Sequence, residues 1–249
     1  MLYICIPAHN EAPTIGLLLW RIRKVFDEFS REYEIVVLDD GSTDTTAETL
    51  RPYPEVLPLT VMRNERAAGY AAALDTLART VSQRTRYPRR DAAVFMQADF
   101  TDQPESLPEM VKLFEGGADL VVAEQTTTPA GTPTGVRRLR RVARWLSRFA
   151  APVEGLSDPL GSYRLIRIAV LRDMIKEAGN APLVTGEGWA VNAAFLRSAM
   201  RHARRLETVP VVARYDVRQR PSRVRSFAGA VELYRLGRDR RARRVSAGT

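Results

Sequence analysis

Two short apolar runs in this chain lead directly into acidic segments, and this arrangement constrains the fold most strongly. Residues 34–38 (EIVVL) precede 39–44 (DDGSTD), and residues 92–96 (AAVFM) precede 97–102 (QADFTD). Apolar, β-branched runs bounded by turn residues predict buried strands of a parallel sheet. Ligands of open α/β sheets bind beyond the carboxyl ends of the strands. Acidic side chains at two such ends suit a base or ribose and a divalent cation against a diphosphate, which indicates a site for an activated sugar nucleotide.

Strands and helices alternate over the first 123 residues. The sequence predicts strands at 2–7, 34–38, 57–62, 92–96 and 119–123, with helices at 13–29, 43–50, 67–82 and 104–114. This order predicts an α/β fold with a doubly wound, mainly parallel, Rossmann-like sheet. Beyond it we expect a loop at 126–135, a basic helix at 136–149, turn and strand within 158–166, helices near 168–178 and 188–201, and a strand at 209–215.

The chain is strongly basic, with a formal net charge of +9 and a pI of about 10.2. The excess arginines cluster at 137–148, 197–225 and 235–244. Such patches suit a membrane surface, phosphates or nucleic acid. The arginines lack interleaved aromatic residues and no nucleic-acid recognition motif is present, so specific nucleic-acid binding is not expected.

The N-terminal segment and the single cysteine favour a cytoplasmic location. Residues 1–7 lack the basic start and the cleavage site of a signal peptide, and no apolar run approaches the length of a membrane span. Cys5 cannot form an internal disulfide or a thiolate cluster, and its place in the first strand predicts an inert core residue.

Five segments, in this order, resemble the family 2 glycosyltransferases of GT-A fold. They are 6–11 (IPAHNE), 37–44 (VLDDGSTD), 97–99 (QAD), 158–164 (DPLGSYR), and Val209-Pro210 followed by 218–223 (RQRPSR). The last two are most similar to dolichyl- or polyprenyl-phosphate sugar transferases. The resemblance covers roughly residues 2–227. It implies one domain over 1–234, with a nucleotide-sugar half at about 1–124, an acceptor half at about 125–234, and a basic, flexible tail at 235–249.

The resemblance also implies roles for individual side chains. The implied nucleotide-binding residues are Pro7, Ala8, Glu11, Asp39, Asp40, Gln97, Ala98, Arg218 and Arg223. Asp40 would contact the base or ribose. For Asp39 and Asp40 the alternative is turn formation and helix capping, which Asp favours. Asp44 is expected to start a helix, and His9 to line the pocket or lie on the surface.

Asp99 is the implied metal ligand, binding Mg²⁺ or Mn²⁺ against the diphosphate of the sugar nucleotide. Family members usually carry Asp-x-Asp here, and this chain has Gln97 in place of the first Asp. Gln97 carries no charge, so the substitution leaves open weaker metal binding or an inactive homologue. Asp102 is interpreted as a turn or helix-cap residue before Pro104.

The basic helix at 136–149 carries an apolar stripe beside its arginines. One interpretation is a solvated face over ordinary core. The other is an interfacial helix that lies among anionic lipid headgroups, with Trp145 at the boundary. Arg164, Arg218 and Arg223 are candidates for binding phosphates, because a planar guanidinium suits bidentate contacts.

The nature of the acceptor decides whether a general base is required. A polyprenyl phosphate is already an anionic nucleophile, whereas a hydroxyl acceptor must lose a proton, normally to a carboxylate. Asp158 and Glu187 are the candidates for that base, and with Asp99 and Arg164 they complete the catalytic candidates. The leading hypothesis is inverting, metal-dependent transfer of a hexose from a UDP- or GDP-sugar to a polyprenyl phosphate at the cytoplasmic face of the membrane. The alternatives are glycosylation of a soluble hydroxyl acceptor and a non-catalytic, degenerate homologue that binds membranes.

Overall fold

The computed structural model describes residues 1–125, 156 and 160–211, with only the backbone of residue 189. The strands are β1 (Leu2–Ala8), β2 (Tyr33–Asp40), β3 (Leu59–Asn64), β4 (Ala92–Phe95), β5 (Leu120–Gln125), β6 (Arg164–Arg167) and β7 (Leu206–Val211). The helices are α1 (Ala12–Glu28), α2 (Thr46–Leu50), α3 (Tyr70–Arg84), α4 (Leu107–Glu115), α5 (Ile168–Ala178) and α6 (Trp189–His202). The predicted elements within the described ranges are present, with ends displaced by a few residues.

The seven strands form one sheet in the order β3-β2-β1-β4-β6-β5-β7. Strand β6 runs antiparallel to both β4 and β5, and the remaining neighbours pair in parallel. The mainly parallel α/β sheet expected from the sequence is therefore confirmed. The insertion of β6 was not predicted, and it places a strand of the expected acceptor half between two strands of the expected nucleotide-sugar half.

Apolar side chains pack on both faces of the sheet. On one face, Ile4 and Ile6 of β1 join Leu18 of α1 and Met110 of α4 in one core. On the opposite face, Cys5 joins residues of α3, α5 and α6 in a second core. The alternation along β1 follows the two-residue period of a strand. Burial raises the pKa of the Cys5 thiol, which agrees with an inert core residue.

The carboxyl ends of β1, β2 and β4 meet at one edge of the sheet, because these three strands are parallel neighbours. Ala8 pairs with Asp39 at this edge, and the segment that carries Asp99 follows β4. Among the described residues, no helix combines the length and apolar character needed to cross a bilayer. The predicted helix at 136–149, the tail at 235–249, and the candidates Asp158, Arg218 and Arg223 lie outside the described residues.

Candidate functional site

The loops that follow β1 and β2 are joined by hydrogen bonds at the carboxyl edge of the sheet. Asn10 adopts a φ of 53° and accepts hydrogen bonds through Oδ1 from the backbone N–H of Thr43, at 2.8 Å, and of Asp44. Its own N–H donates to Oγ of Ser42 at 2.8 Å. Asn tolerates this left-handed conformation better than most residues. The first two segments of the resemblance therefore form one structural unit.

The carboxylate of Asp40 is occupied by protein donors. It is 4% exposed, and Oδ1 accepts hydrogen bonds from Nδ2 of Asn64 and from the N–H of Ala68, while Oδ2 accepts one from the N–H of Gly69. The contacts anchor the turn that leads into α3. This geometry favours the structural interpretation of Asp40, and its expected contact with the base or ribose stays a prediction.

Asp39 is fully buried, and its two carboxylate oxygens have different surroundings. Its Oδ1 accepts a hydrogen bond from the N–H of Ser42, whereas Oδ2 has no hydrogen-bond partner among the described residues. Oδ2 forms an ion pair with Arg63, whose Nε lies at 3.6 Å and whose side chain is half exposed. Asp39 thus stabilises a turn through Oδ1, and its Oδ2 lies next to the guanidinium of Arg63.

The remaining nucleotide-binding candidates surround the same edge. Glu11 and Ala8 are buried and Pro7 is partly exposed. The N–H of Glu11 donates to Oγ1 of Thr46, and Oε2 of Glu11 accepts a hydrogen bond from Thr14. Asp44 accepts a hydrogen bond from the N–H of Thr46 at the beginning of α2, as expected of a residue that starts a helix. His9 contacts the backbone oxygen of Asp40 through Nδ1 at 2.7 Å.

Asp99 lies at the carboxyl end of β4 in a strained loop. It is 1% exposed, and Oδ1 accepts hydrogen bonds from the N–H and the hydroxyl of Thr101 at 3.1 and 2.6 Å. The next residue, Phe100, is buried and has a φ of 66°. A bulky side chain in this region costs of the order of 1–3 kcal/mol and persists where the surroundings enforce it. The unfavourable conformation of Phe100 therefore shapes the loop in which Asp99 lies. Beside it, Gln97 is partly exposed and Ala98 is buried.

Asp102 was expected to be a turn residue or a helix cap, and the structure contradicts the helix cap but leaves Asp102 at a bend of the chain. Its Oδ2 accepts hydrogen bonds from the N–H of Gln97 at 2.8 Å and from Oγ of Ser162 at 3.0 Å, and the Pro104–Ser106 turn has no side-chain cap. Burial, with the charge of Asp99 nearby, raises the pKa of Asp102 to about 7, although the two hydrogen bonds oppose the shift. Asp102 therefore links the Asp99 loop to the segment before β6.

The structure also corrects the placement of Arg164. Its guanidinium is 1% exposed and donates to the backbone oxygens of Gly161, Ser162 and Asn192. Burial lowers its pKa to about 10, against the opposing effect of Tyr70 and Asp102. With Nε, Nη1 and Nη2 all bonded to carbonyls, Arg164 stabilises the fold here and is not presented to a phosphate. The motif predicted an important arginine, but its surroundings could not be inferred from the motif.

Helix α6 brings further polar residues to the site that sequence reasoning did not identify. The hydroxyl of Tyr70, at the beginning of α3, donates to Oδ1 of Asn192 at 2.9 Å, and Nδ2 of Asn192 donates to the oxygen of Leu160. Burial raises the pKa of Tyr70 well above its ordinary value, and the charges of Asp102 and Asp99 contribute. Tyr70 and Asn192 lie 122 positions apart, so no local signal links them. Glu187 is exposed in the loop just before α6.

A model of the family described as glycosyl transferase family 2 matches residues 3–175, well over half of the chain. The chain belongs to glycosyl transferase family 2. This membership confirms the resemblance drawn from the five segments.

Relatives within family 2 share modest identity with the chain. An uncharacterised glycosyltransferase of Bacillus subtilis, YkcC, is 25% identical over 186 residues, which is 74% of this chain and 54% of that protein. The dolichol-phosphate mannosyltransferase of Pyrococcus furiosus is 25% identical over 172 residues, covering 68% and 46% of the two chains. The chain thus spans about half the length of these two curated relatives.

A solved structure supports the GT-A fold. Glucosyl-3-phosphoglycerate synthase from Mycobacterium tuberculosis, in complex with Mn²⁺, UDP and glucosyl-3-phosphoglycerate, aligns with a TM-score of 0.66 at 20% identity. The alignment covers 95% of this chain and 78% of that protein. At 20% identity, this structural similarity establishes the fold and nothing more specific.

The side chains after β4 fit a divalent cation that is shared with a ligand. Within the described residues, no group of three or more His, Cys, Asp or Glu side chains is placed to hold a metal. Mg²⁺ is commonly bound through one or two carboxylates together with substrate phosphates and water. Asp99, at the carboxyl end of β4, supplies one hard oxygen ligand. This single carboxylate fits a metal that needs diphosphate oxygens to complete its coordination.

Proposed function

We propose that this family 2 member transfers a hexose from a nucleoside diphosphate to a polyprenyl phosphate. The observation that carries the proposal is the position of Asp99, held in a strained loop after β4 and close to Asp102. Asp39 and Asp40 are the last two residues of β2, and they lie at the same edge because only β1 separates β2 from β4. A nucleotide bound along this edge would extend from the β2 loop toward Asp99, in agreement with the ligand position in open α/β sheets.

Each part of the site has a role in the proposed reaction. The buried Oδ2 of Asp39 has no hydrogen-bond partner in the part of the chain that the structure describes, and it would accept an N–H of the base or a hydroxyl of the ribose. Asp99 would hold Mg²⁺ or Mn²⁺, which supplies neutralising charge for the departing diphosphate. In the transfer, an acceptor oxygen forms a bond to the anomeric carbon while the bond to the diphosphate oxygen breaks. Direct displacement inverts the anomeric configuration.

The lipid acceptor is supported by the names of relatives. A phosphate acceptor is already an anionic nucleophile and requires no general base. The relative from Pyrococcus furiosus is named a dolichol-phosphate mannosyltransferase, and one from Escherichia coli a bactoprenol glucosyl transferase homolog. The arginine-rich segments at 137–148 and 218–225 would then contact the lipid phosphate and the cytoplasmic membrane surface.

A soluble hydroxyl acceptor is the second candidate. Glucosyl-3-phosphoglycerate, the ligand named for the aligned mycobacterial enzyme, carries its sugar on a small soluble molecule. Glu187, exposed just before α6, would serve as the general base in that reaction. Gln97 in place of the usual Asp supports the third reading, a non-catalytic member that retains nucleotide binding.

The test measures nucleotide release and sugar transfer from UDP- and GDP-hexoses with Mn²⁺, in the presence of polyprenyl phosphate in vesicles or of 3-phosphoglycerate. We expect metal-dependent glycosylation of the lipid by the wild type and its loss in Asp99→Asn. Asp173→Asn is the matched control, because Asp173 is an exposed carboxylate on α5 and the charge change is the same.

The outcomes separate the three candidates. Transfer to 3-phosphoglycerate alone, abolished by Glu187→Gln with donor binding intact, would favour the soluble acceptor. Metal-dependent nucleotide binding without any cleavage of the donor would favour the non-catalytic member. Equal activity of Asp99→Asn and Asp173→Asn would exclude the assigned role of Asp99.

A further inference from the structure

Asp102 connects two parts of the chain that are sixty residues apart. A single oxygen, Oδ2, accepts hydrogen bonds from the N–H of Gln97 at 2.8 Å and from the hydroxyl of Ser162 at 3.0 Å. Gln97 begins the Asp99 loop, and Ser162 belongs to the segment 160–164 that leads into β6. One side chain thus holds the loop and the segment in register.

The segment 160–164 is independently fixed to the body of the protein. Arg164 donates to the carbonyls of Gly161 and Ser162 within the segment and to that of Asn192 on α6. Nδ2 of Asn192 donates to the carbonyl of Leu160 at 3.0 Å. The segment and α6 are therefore joined by hydrogen bonds in which Asp102 takes no part.

The Asp99 loop carries backbone strain and contacts the segment through side chains. Phe100 has a φ of 66°, and a strained residue persists only where its surroundings hold it. Oδ2 of Asp102 accepts a hydrogen bond from the hydroxyl of Ser162, and the hydroxyl of Tyr163 donates to the carbonyl of Gln103 at 3.1 Å. Losing Asp102 or Ser162 would break the first of these contacts between the loop and the segment.

We propose that Asp102 is a positioning residue that fixes the Asp99 loop to the segment 160–164 through Gln97 and Ser162, so that the bound sugar faces the acceptor. This inference rests on the proposed transferase function. It assigns to Asp102 a geometric role that an uncharged acceptor atom could also perform. Asp102→Asn can keep both hydrogen bonds through Oδ1, whereas Asp102→Ala keeps neither.

The role predicts a change in how the donor is consumed. In transfer, the anomeric carbon exchanges its diphosphate oxygen for an acceptor phosphate oxygen. In hydrolysis, the new bond is to a water oxygen and a proton is released to solvent. A loop that is no longer in register with the segment would still bind the donor but would align the sugar poorly with the acceptor, so the share of donor lost to water should rise.

The experiment compares transfer, hydrolysis and nucleotide affinity in Asp102→Ala, Asp102→Asn, Ser162→Ala and Ser162→Thr. We expect Ser162→Ala to lose about tenfold in transfer, the effect of one hydrogen bond to a charged group, and Asp102→Ala, which removes two hydrogen bonds, to lose more. Nucleotide affinity should change by less than about twofold in both variants. Asp102→Asn and Ser162→Thr should retain most of the transfer. Ser82→Ala is the control, because it removes a buried hydroxyl on α3 that has no hydrogen-bond partner within the described ranges.

Two results would overturn the positioning role. One is an Asp102→Asn variant as impaired as Asp102→Ala, which would show that the charge matters and the tether does not. The other is a parallel fall of transfer and hydrolysis in Ser162→Ala. If the wild type cleaves no donor, the proposed function fails, and the tether is judged by a double-mutant cycle on thermal unfolding. If Asp102→Ala and Ser162→Ala change the free energy of unfolding additively, the contact between the two residues is excluded. A non-additive change would support it.

Discussion

The carboxylate of Asp40 accepts a hydrogen bond from the backbone N–H of Gly69 at 2.8 Å, and so joins the end of β2 to the beginning of α3. The neighbouring Oδ1 binds the N–H of Ala68 and the side chain of Asn64. Helix α3 has no side-chain cap of its own at Gly69, so these contacts from Asp40 satisfy amides of the turn that precedes it. Asp40, at the end of β2, therefore stabilises the turn before α3, in addition to any contact with the nucleotide.

Replacing Asp40 with Ala should destabilise the protein by about 3 kcal/mol, because three hydrogen bonds to a buried carboxylate are lost. Urea denaturation measures the change, and nucleotide titration on the same variant measures binding. Asp44→Ala, which removes a more exposed carboxylate from the same segment, is the comparison. Weaker nucleotide binding with unchanged stability would favour the direct contact with base or ribose over the structural role.

Gly41→Ala should be more damaging than Gly69→Ala, although both glycines have positive φ values of 62° and 95°. A Cβ on Gly41 would lie 2.4 Å from the backbone N of Ala67 and 2.6 Å from the carbonyl carbon of Arg66, whereas a Cβ on Gly69 would meet nothing within 4 Å. We expect a cost of about 1–2 kcal/mol from backbone strain in Gly69→Ala and a larger one in Gly41→Ala. Thermal unfolding of the pair gives the comparison, and equal losses would contradict it.

Gln97→Asp should tighten Mn²⁺-dependent nucleotide binding, because it places a second carboxylate two residues before Asp99. The backbone N–H of Gln97, which donates to Asp102, is unaffected by the change. Calorimetric titration of UDP and GDP with and without Mn²⁺ measures the effect. The gain should vanish in the double variant with Asp99→Ala, and a gain that survives without metal would show that the new carboxylate acts in another way.

The raised pKa of Asp102, about 7, predicts a pH dependence of stability. Unfolding returns this carboxyl to its ordinary pKa near 4, so between roughly pH 4 and 7 the folded protein binds more protons than the unfolded chain. Stability should therefore fall as the pH rises through this range, by up to about 1.4 kcal/mol per pH unit. The slope should be smaller in Asp102→Asn, which cannot titrate. Urea denaturation from pH 4 to 8 gives the free energy of unfolding of the wild type and of Asp102→Asn. An identical pH dependence in the two proteins would contradict the prediction.

Arg164→Lys should lower the free energy of unfolding by about 3 kcal/mol or more. The guanidinium of Arg164 donates to three carbonyls, and a single ammonium in its place would leave buried acceptors unsatisfied. Arg66→Lys, at an exposed position, is the control. Differential scanning calorimetry of both variants gives the difference. A stable Arg164→Lys protein that fails only in transfer would restore the phosphate-binding role.

The order of strands and helices along the chain could be predicted, since it follows from local periodicity and turn residues. The place of β6 could not. Residues 164–167 form a short run, and their antiparallel insertion beside β4 depends on contacts with strands far away in sequence. The order of strands in the sheet depends on tertiary packing. Hydrophobic periodicity predicts individual strands and does not predict which strands become neighbours.

The candidate site shows the same division. Asp99 could be found because its motif is contiguous, whereas the hydrogen bond between Asn10 and Thr43 was not predicted, although each residue lies in a recognisable segment. Asp102 stands just before a proline turn, where Asp commonly acts as a cap, and one of its two partners, Ser162, is sixty positions away. The phosphate-binding expectation for Arg164 rested on side-chain chemistry, which does not determine burial.

The insertion of β6 also governs how the protein can assemble during translation. Strands β1 to β4 emerge first and can pair with one another. The edge of β4 that does not face β1 stays unpaired until residues 164–167 have been synthesised. Strand β5 emerges before both of its sheet neighbours, β6 and β7. A nascent chain that stops near residue 125 would therefore expose an open, apolar strand edge, which is a template for aggregation. The nucleotide-binding half should accordingly fail as an isolated fragment, even though it carries most of the residues that would bind the donor.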